Sequence, residues 1–250
     1  MVGLSAIALQ GLPEVGAGDD LAALIAQALP DHLQPSDALV LAHKVVSKAE
    51  GRVRALAGVQ PSRHAAELAR QLGKDPRQVQ VVLEESREVL RAERDVLICV
   101  THQGFVCANA GVDASNVHAA GEVVLLPRDP DASARALRAR LWELTGVAPG
   151  VVIADSFGRA WRHGQCDVAI GCAGVAPLDD WRGRADAFGR ELRATWIAVA
   201  DELAATADLA RRKDSSEPVV LVRGAGRYVS ADDGPGAAAL LRSADEDLFR

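Results

Sequence analysis

The sequence predicts a mixed α+β fold for this chain of 250 residues. Strand-like and helix-like patterns alternate along it, but without the regular βαβ rhythm of a Rossmann fold. The glycines form neither Gly-x-x-x-x-Gly-Lys-Ser/Thr nor a well-placed Gly-x-Gly-x-x-Gly, so we expect neither a P-loop nor a dinucleotide fold. With 49% hydrophobic residues, the chain can bury a sizeable core, as one domain or as two intimate lobes.

In the first half of the chain, apolar spacing and helix-capping residues mark the predicted elements. They are a strand from Ile7, a helix Leu21–Leu29 that Asp19 or Asp20 can cap, a buried strand Ala38–Ala42, helices Arg63–Leu72 and Pro76–Glu85, and a hairpin of Val96–Val100 with Phe105–Cys107.

In the second half, the same signals predict three helices and two strands. They are a helix from Asp129 to Thr145 that Gly146 ends, a strand Val151–Ala154, a long amphipathic helix Phe188–Ala207, a strand Pro218–Val222, and a last helix to Arg242 after Gly234-Pro-Gly236.

Bulk composition excludes several classes of protein. The net charge of −6 argues against broad nucleic-acid binding, which needs a basic face. No apolar run is long enough to cross a bilayer and no signal segment opens the chain, so we expect a cytoplasmic protein without a membrane partner. The four cysteines form no Cys-x-x-Cys pair, and we expect reduced thiols and no tetrahedral zinc site.

Polar side chains follow three predicted strands, in the segments His43–Lys48, Asp113–Asn116 and Asp155–Arg159. Carboxylate and hydroxyl oxygens suit Mg²⁺ or Mn²⁺, which keeps several waters and bridges substrate phosphates. Lysines add positive charge for phosphates. Because rigid scaffolds present functional groups where their strands end, these segments predict a metal-phosphate site.

Two structural alternatives stay open. Aspartate is favoured in turns, so Asp113 and Asp155 could each cap the segment after a strand. The segment 159–167 is dense in polar groups and could hold an anionic substrate through Arg159 and Arg162. It could equally be a surface loop with a half-buried Trp161.

The combined motifs of the chain resemble the coenzyme F420-0:L-glutamate ligase family nearly from end to end. The matching segments are Gly11-Leu-Pro-Glu-Val-Gly16, Val45-Val-Ser-Lys-Ala-Glu-Gly51, Gly104 to Asn116, Leu126 to Ser133, Asp155-Ser-Phe-Gly-Arg-Ala-Trp-Arg162, Gly164 to Gly171, Asp201 to Ala205, Pro218 to Gly224 and Leu241 to Arg250.

This resemblance implies a single ligase domain over residues 1–250, built as a two-lobed α/β protomer in an intertwined homodimer. It implies a GTP-dependent enzyme that adds L-glutamate to F420-0 through an acyl phosphate and releases GDP and phosphate. It also implies Mg²⁺ or Mn²⁺, two ions per site, with K⁺. Some relatives carry a fused flavin-binding domain after this one, and we expect none here.

Carried over by position, the resemblance assigns three groups of site residues. Pro13, Glu14, Val15, Gly16, His43, Lys44, Lys48 and Asn116 would contact GTP. Asp113 and Asp155 would hold one metal and Ser156 a second, and Lys48, Asp113 and Asp155 would be the catalytic set. An acidic substrate and an acidic product also need cations, for which Arg159 and Arg162 are the candidates.

The chain departs from the family at three places. Ser156 stands where a threonine is usual, which keeps the hydroxyl. The pair His43-Lys44 replaces a small polar pair, and the loop 211–216 replaces a more glycine-rich segment that closes over the nucleotide. In that loop, Asp214 is a further candidate for the second metal.

Two other classes of protein compete with the ligase. A metal-dependent phosphohydrolase could use the same aspartates, and a non-catalytic nucleotide-binding protein could arise if the altered loop no longer closes.

Overall fold

The computed structural model describes residues 3–115, 117 and 119–247 and contains twelve strands and six α-helices within them. In chain order the elements are β1 (Ser5–Ala8), α1 (Leu21–Ala28), β2 (Ala38–Ala42), α2 (His43–Ala49), β3 (Val53–Ala55), α3 (Arg63–Leu72), α4 (Pro76–Glu84), β4 (Ser86–Glu93), β5 (Val96–Thr101), β6 (Val106–Ala108), β7 (Glu122–Val124), α5 (Pro130–Thr145), β8 (Gly150–Arg159), β9 (Arg162–Ala173), β10 (Asp179–Asp180), β11 (Trp196–Ile197), α6 (Val199–Ala210) and β12 (Val219–Arg223).

A five-stranded sheet in the order β1-β12-β2-β8-β9 forms the centre of the fold. Only β2 and β8 run parallel, and the other three pairs are antiparallel. The central strands have near-continuous apolar sequences because both faces of the sheet are covered.

Alternate residues of these strands enter two different cores. Leu39, Leu41 and Ile153 face the layer of α1, α2 and α5, whereas Val40 and Val152 face α6. All five side chains are fully buried, and each contributes about 1.5–3 kcal/mol by leaving water. The alternation fixes the strand register, because a slip by one residue would exchange the two faces.

A third core is formed by residues 53–125, the part of the chain that follows α2 and precedes α5 in the sequence. It is built from α3, α4, the β3–β7 pair and the three-stranded sheet β4-β5-β6. Leu72, Val79, Leu97 and Val123 are among its buried side chains. This segment therefore adds a second hydrophobic unit that carries the loop with Asp113.

The mixed helix and strand content agrees with the predicted α+β class. Helix α3 has the predicted bounds, because Ser62 accepts a hydrogen bond from Ala65 N at its start and Gly73 adopts a left-handed conformation at its end. Strand β2 also has the predicted bounds. Helix α5 follows its predicted cap, Asp129, and ends at Gly146.

The long helix predicted over Phe188–Ala207 is wrong in its first half. The Asp186 carboxylate accepts hydrogen bonds from the backbone N–H groups of Phe188 and Arg190, which closes a turn. Gly189 is left-handed there, and residues 196–197 pair with β10 as a strand. The helix α6 consequently begins only at Val199.

The helix predicted after Gly234-Pro-Gly236 is also wrong, since only a short 3₁₀ turn forms over Ala237–Leu240. The carboxylate of Asp131 accepts hydrogen bonds from the N–H groups of Ala237 and Ala238 and fixes the start of this turn. The chain becomes extended again at Leu241.

None of the helices that the structure describes is long and apolar enough to span a membrane. All four cysteines are free thiols, as expected.

Packing predicts that Gly171→Ala destabilises the fold. A Cβ at Gly171 would lie 2.4 Å from the backbone carbonyl of Pro130 at the start of α5, where the backbone cannot move aside cheaply. We expect a loss of about 1–3 kcal/mol in the free energy of unfolding by chemical denaturation. Gly158→Ala, in the same hairpin, meets open space and is the matched control. Equal stability of the two variants would contradict this packing.

Burial also predicts the reactivity of the thiols. It raises the pKa of Cys107 and Cys172 to about 12, and it raises the pKa of Cys99. These three side chains are buried and only Cys166 is partly exposed. At about pH 8 the buried thiols stay protonated, so we expect a thiol reagent to modify Cys166 alone in the native protein and all four cysteines after denaturation. Rapid native modification of Cys107 or Cys172 would contradict the structure.

Candidate functional site

The site begins where the parallel strands β2 and β8 lie side by side. Their register places Ala42 opposite Ala154, so the next residues, His43 and Asp155, leave this pairing at the same level. The Nε2 atom of His43 lies 3.3 Å from Oδ1 of Asp155. His43 is 2% exposed and its Nδ1 atom lies 3.3 Å from Ser47 Oγ, so the imidazole is fixed between the strand and α2.

The next residue of α2 reaches a different segment. The Lys44 ammonium lies 2.6 Å from Asp113 Oδ2 and donates a hydrogen bond of 2.6 Å to Ser115 Oγ. Asp113 is held in place because its backbone exchanges two hydrogen bonds with Val124 of β7. Consecutive residues of one helix therefore contact the two predicted metal ligands, Asp155 and Asp113.

Asp113 also fulfils its alternative role as a turn residue, whereas Asp155 lies within β8 and caps no segment after the strand. Asp113 accepts hydrogen bonds from the Ser115 N–H, at 2.7 Å, and from the Ser115 hydroxyl, at 2.9 Å. Asp155 accepts one from the N–H of Ser156, at 2.8 Å. These local bonds fix the carboxylates but use only part of their capacity to accept.

The backbone before Asp113 is unusual. Asn109, Ala110 and Gly111 are three consecutive residues with positive φ angles, of 52°, 51° and 71°. Gly111 has no alternative, since a Cβ there would lie 2.5 Å from Leu126. Non-glycine residues in this region cost of order 1 kcal/mol or more, and such strain concentrates at functional sites.

The two carboxylates are held in the ionised form. Burial acts to raise the pKa of Asp113, but the hydrogen bonds from Lys44 and Ser115 outweigh it and the pKa lies below its usual value. Burial likewise acts against ionisation of Asp155, but the neighbouring imidazole of His43 and the hydrogen bond from the Ser156 N–H hold the pKa below its usual value. Ionised carboxylates are the form that binds a metal ion.

The predicted GTP loop lies against the same helix. Lys48 of α2 forms an ion pair with Glu14, and the N–H of Gly18 donates a hydrogen bond of 2.8 Å to Ala49 O. Val15 is buried in the core, which fixes the loop. The structure thus gathers Pro13–Gly16, His43, Lys44 and Lys48 around α2, whereas Asn116 lies outside the described residues.

Ser156 lies on the other face of the sheet from Asp155. The sequence predicts Ser156 in a segment that follows a short strand, but β8 continues to Arg159. Asp155 and Ser156 are therefore neighbours in one strand, and their side chains point to opposite faces of the sheet. The Ser156 hydroxyl donates a hydrogen bond of 2.5 Å to Asp167 of β9 and accepts one of 2.7 Å from Lys213.

Asp167 is the residue of this region that sequence reasoning missed as a functional candidate. It is 1% exposed, directly opposite Ser156, and forms an ion pair with Arg211. The available signal was a single aspartate at the start of the apolar run 168–173, because a carboxylate in a buried strand needs a partner.

The remaining candidates lie apart. The backbones of Arg159 and Arg162 lie opposite each other in the strand pairing near the tip of the β8–β9 hairpin. Trp161, at the same tip, is 83% exposed instead of half-buried. Arg159 is four residues beyond Asp155, roughly 13 Å along the strand. The carboxylate of Asp214 pairs with Arg212 of its own loop, at 3.1 Å.

The carboxylates of Asp113 and Asp155, beside α2, fit a magnesium-like ion as ligands. No three histidine, cysteine, aspartate or glutamate residues form a ready metal cluster within the described part of the chain. Mg²⁺ does not need one, since it is usually bound through one or two carboxylates together with waters and phosphates. Asp113 and Asp155, partly exposed and ionised, supply such a pair.

Comparison with known proteins gives an independent line of evidence. The model of the F420-0:Gamma-glutamyl ligase family matches residues 11–224. The chain is 44% identical over 253 residues to the coenzyme F420:L-glutamate ligase of Methanothermobacter thermautotrophicus and 46% identical over 255 residues to that of Methanopyrus kandleri, each time over 100% of both proteins. It is 45% identical to the enzyme of the same name from Archaeoglobus fulgidus, over 97% of this chain and 94% of that protein.

The family match and the full-length similarity agree with the resemblance seen in the sequence motifs. The chain belongs to the F420-0:gamma-glutamyl ligase family.

Proposed function

We propose that this chain is a GTP-dependent ligase that forms an amide bond between L-glutamate and coenzyme F420-0, in coenzyme F420 biosynthesis. The observation that carries the proposal is the similarity to ligases of that name over the whole length of both proteins. The geometry supports it, because α2 gathers two carboxylates, two lysines and the loop 13–16 in one place.

The proposed reaction has two steps. An oxygen of the free carboxylate of F420-0 attacks the γ-phosphorus of GTP, and the bond from that phosphorus to the bridging oxygen breaks to give GDP and an acyl phosphate. The amine of glutamate then attacks the acyl carbon, the carbon–oxygen bond to phosphate breaks, and the nitrogen loses a proton. The products are the amide between the carboxyl group of F420-0 and the amine of glutamate, GDP and phosphate.

In this proposal Asp113 and Asp155 hold Mg²⁺ or Mn²⁺ together with the phosphates of GTP. When bound, the ion neutralises phosphate charge and orients the phosphoryl group. The aspartates are fixed for this role before any ligand arrives, by His43 on one side and Lys44 on the other. Such preorganisation is worth most in phosphoryl transfer, where the protein acts mainly by positioning and electrostatics.

The lysines of α2 provide the positive charge on the protein. Lys44 and Lys48 are one helical turn apart and therefore lie on the same side of α2. Their ammonium groups contact Asp113 and Glu14, and the side chains are only 18% and 12% exposed. We propose that both contact the phosphates of GTP, with the backbone of Pro13–Gly16 beside them and Asn116 on the nucleotide.

The proposal extends to the assembly and the other ligands. We propose a homodimer, K⁺ as an accessory ion, and Arg159 and Arg162 as cations for the acidic substrates. In support, the β8–β9 hairpin ends in exposed residues that include both arginines and Trp161. Light scattering of the purified protein would give the oligomeric state, and a monomer would contradict this part.

The direct test is an assay with F420-0, L-glutamate, GTP and Mn²⁺ that follows the product by mass. We expect the F420-0 mass to increase by one glutamyl residue, with one GDP formed per bond. Glutamate-independent release of phosphate from many phosphoesters would instead indicate a phosphohydrolase. Tight GTP binding without turnover would indicate a non-catalytic protein.

We predict that Asp113→Asn and Asp155→Asn each lower kcat/KM by about 100-fold or more, because each removes a charged ligand from the phosphoryl-transfer site. Circular dichroism and the unfolding midpoint check that the variants remain folded. Asp95→Asn is the matched control, since Asp95 is an exposed aspartate in the turn between β4 and β5 whose left-handed backbone asparagine accepts. Wild-type activity in either site variant would show that its carboxylate holds no essential metal.

A further inference from the structure

The loop after α6 places a lysine ammonium among three oxygen atoms of the protein. The Nζ atom of Lys213 lies 2.7 Å from Ser156 Oγ, 3.0 Å from Asp208 Oδ1 and 3.6 Å from Asp167 Oδ1. These oxygens come from β8, α6 and β9 in turn. One point therefore joins three elements on the α6 face of the central sheet.

Charge balance explains why a cation belongs at this point. Asp167 is 1% exposed and its charge is matched by Arg211, which is 9% exposed. Asp208 lies in the last turn of α6, where the negative end of the helix dipole disfavours a carboxylate. With Lys213 the group of two aspartates and two basic residues is neutral, and without Lys213 it would carry one negative charge.

Arg211 fixes the loop from which Lys213 extends. Arg211 stands at the start of this loop, and its guanidinium binds Asp167 of β9. It also donates a hydrogen bond of 3.1 Å to the carbonyl oxygen of Pro218, directly before β12. The distances of 2.7 and 3.0 Å are ordinary for an ammonium group bound to oxygen, so Lys213 itself supplies the positive charge at these atoms. The neighbouring Asp214 pairs with Arg212 and supplies none of the three oxygens.

We propose that the Lys213 ammonium is a tethered cation that occupies the oxygen site of Ser156, Asp167 and Asp208, in place of a metal ion at Ser156. The statement about the metal ion rests on the proposed function, whereas the position of Lys213 does not. In this chain the lysine also anchors the loop 211–216 to β8. The site thus takes one divalent ion, at Asp113 and Asp155.

Removal of the lysine side chain tests the proposal without any turnover. The Lys213 side chain is 68% exposed, so ions in solution reach the site. In Lys213→Ala the vacated site carries one negative charge, and a free ammonium ion can donate hydrogen bonds to its oxygens, whereas tetramethylammonium has no N–H group to donate. We expect the unfolding midpoint of Lys213→Ala to be higher in ammonium chloride than in tetramethylammonium chloride of equal ionic strength, by roughly 2–4 °C. The wild type is expected to show no such difference.

Two variants make this test specific. Arg212→Ala removes an exposed neighbouring cation that pairs with Asp214 and is expected to behave like the wild type. Lys213→Ala with Asp208→Asn removes the unpaired charge and is expected to lose the response to ammonium. An equal response of Lys213→Ala to the two salts, or the same ammonium-specific gain in the wild type, would overturn the proposal.

Metal counting gives a second readout. We expect Ser156→Ala to bind as many Mn²⁺ ions per chain as the wild type when both are titrated with GDP present and followed by electron paramagnetic resonance. A loss of one Mn²⁺ per chain in Ser156→Ala would overturn the proposal, because it would show that Ser156 holds a metal ion. Neither measurement depends on ligase activity, so a failure of the proposed function is recognised separately.

Discussion

The parallel pairing of β2 with β8 is the constraint on which the site depends. It is the one parallel pair of the five-stranded sheet, and its register sets Ala42 beside Ala154. Because of it, the residue that starts α2 and the residue that continues β8 meet as His43 and Asp155. A shift of one residue would move Asp155 to the face of α6 and would exchange the apolar side chains of β8 between the two cores.

Electrostatic pairing on both faces of β8 follows from this arrangement. On the α2 face, the imidazole of His43 lies beside Asp155, and Lys44 forms an ion pair with Asp113. On the α6 face, Arg211 and Lys213 surround Asp167. Every buried or half-buried carboxylate in these two groups thus has a basic partner, as the cost of leaving a charge unpaired in the interior requires. The metal ion proposed for Asp113 and Asp155 would enter a site whose charges the protein has already arranged.

Local signals in the sequence were sufficient for most elements. Strand β2 is a short apolar run, and α3 has both a capping serine and a terminal glycine, so their bounds could be predicted. The spacing of Leu192 and Trp196 fits a helix, but the chain is not helical there. Asp186 and Gly189 form a turn, and the helix starts only at Val199. Periodicity could not reveal this, because turn geometry overrides it there.

Long-range geometry was beyond the reach of the sequence. Asp113 and Asp155 could be predicted as metal ligands from their residue type and from the family resemblance. That they contact consecutive residues of α2 depends on strand pairing between distant segments, which composition and spacing do not encode. Asp167 was missed because its role arises from Arg211, which is 44 residues away in the sequence.

The most direct test of the account is the Mn²⁺ affinity of the protein with GDP bound, measured by electron paramagnetic resonance. We expect tight Mn²⁺ binding by the wild type and a loss of this binding when either Asp113 or Asp155 is replaced by asparagine. Equal loss in both variants would show that residues 42 positions apart in the chain form one site. Retention of wild-type Mn²⁺ affinity in both variants would contradict the account.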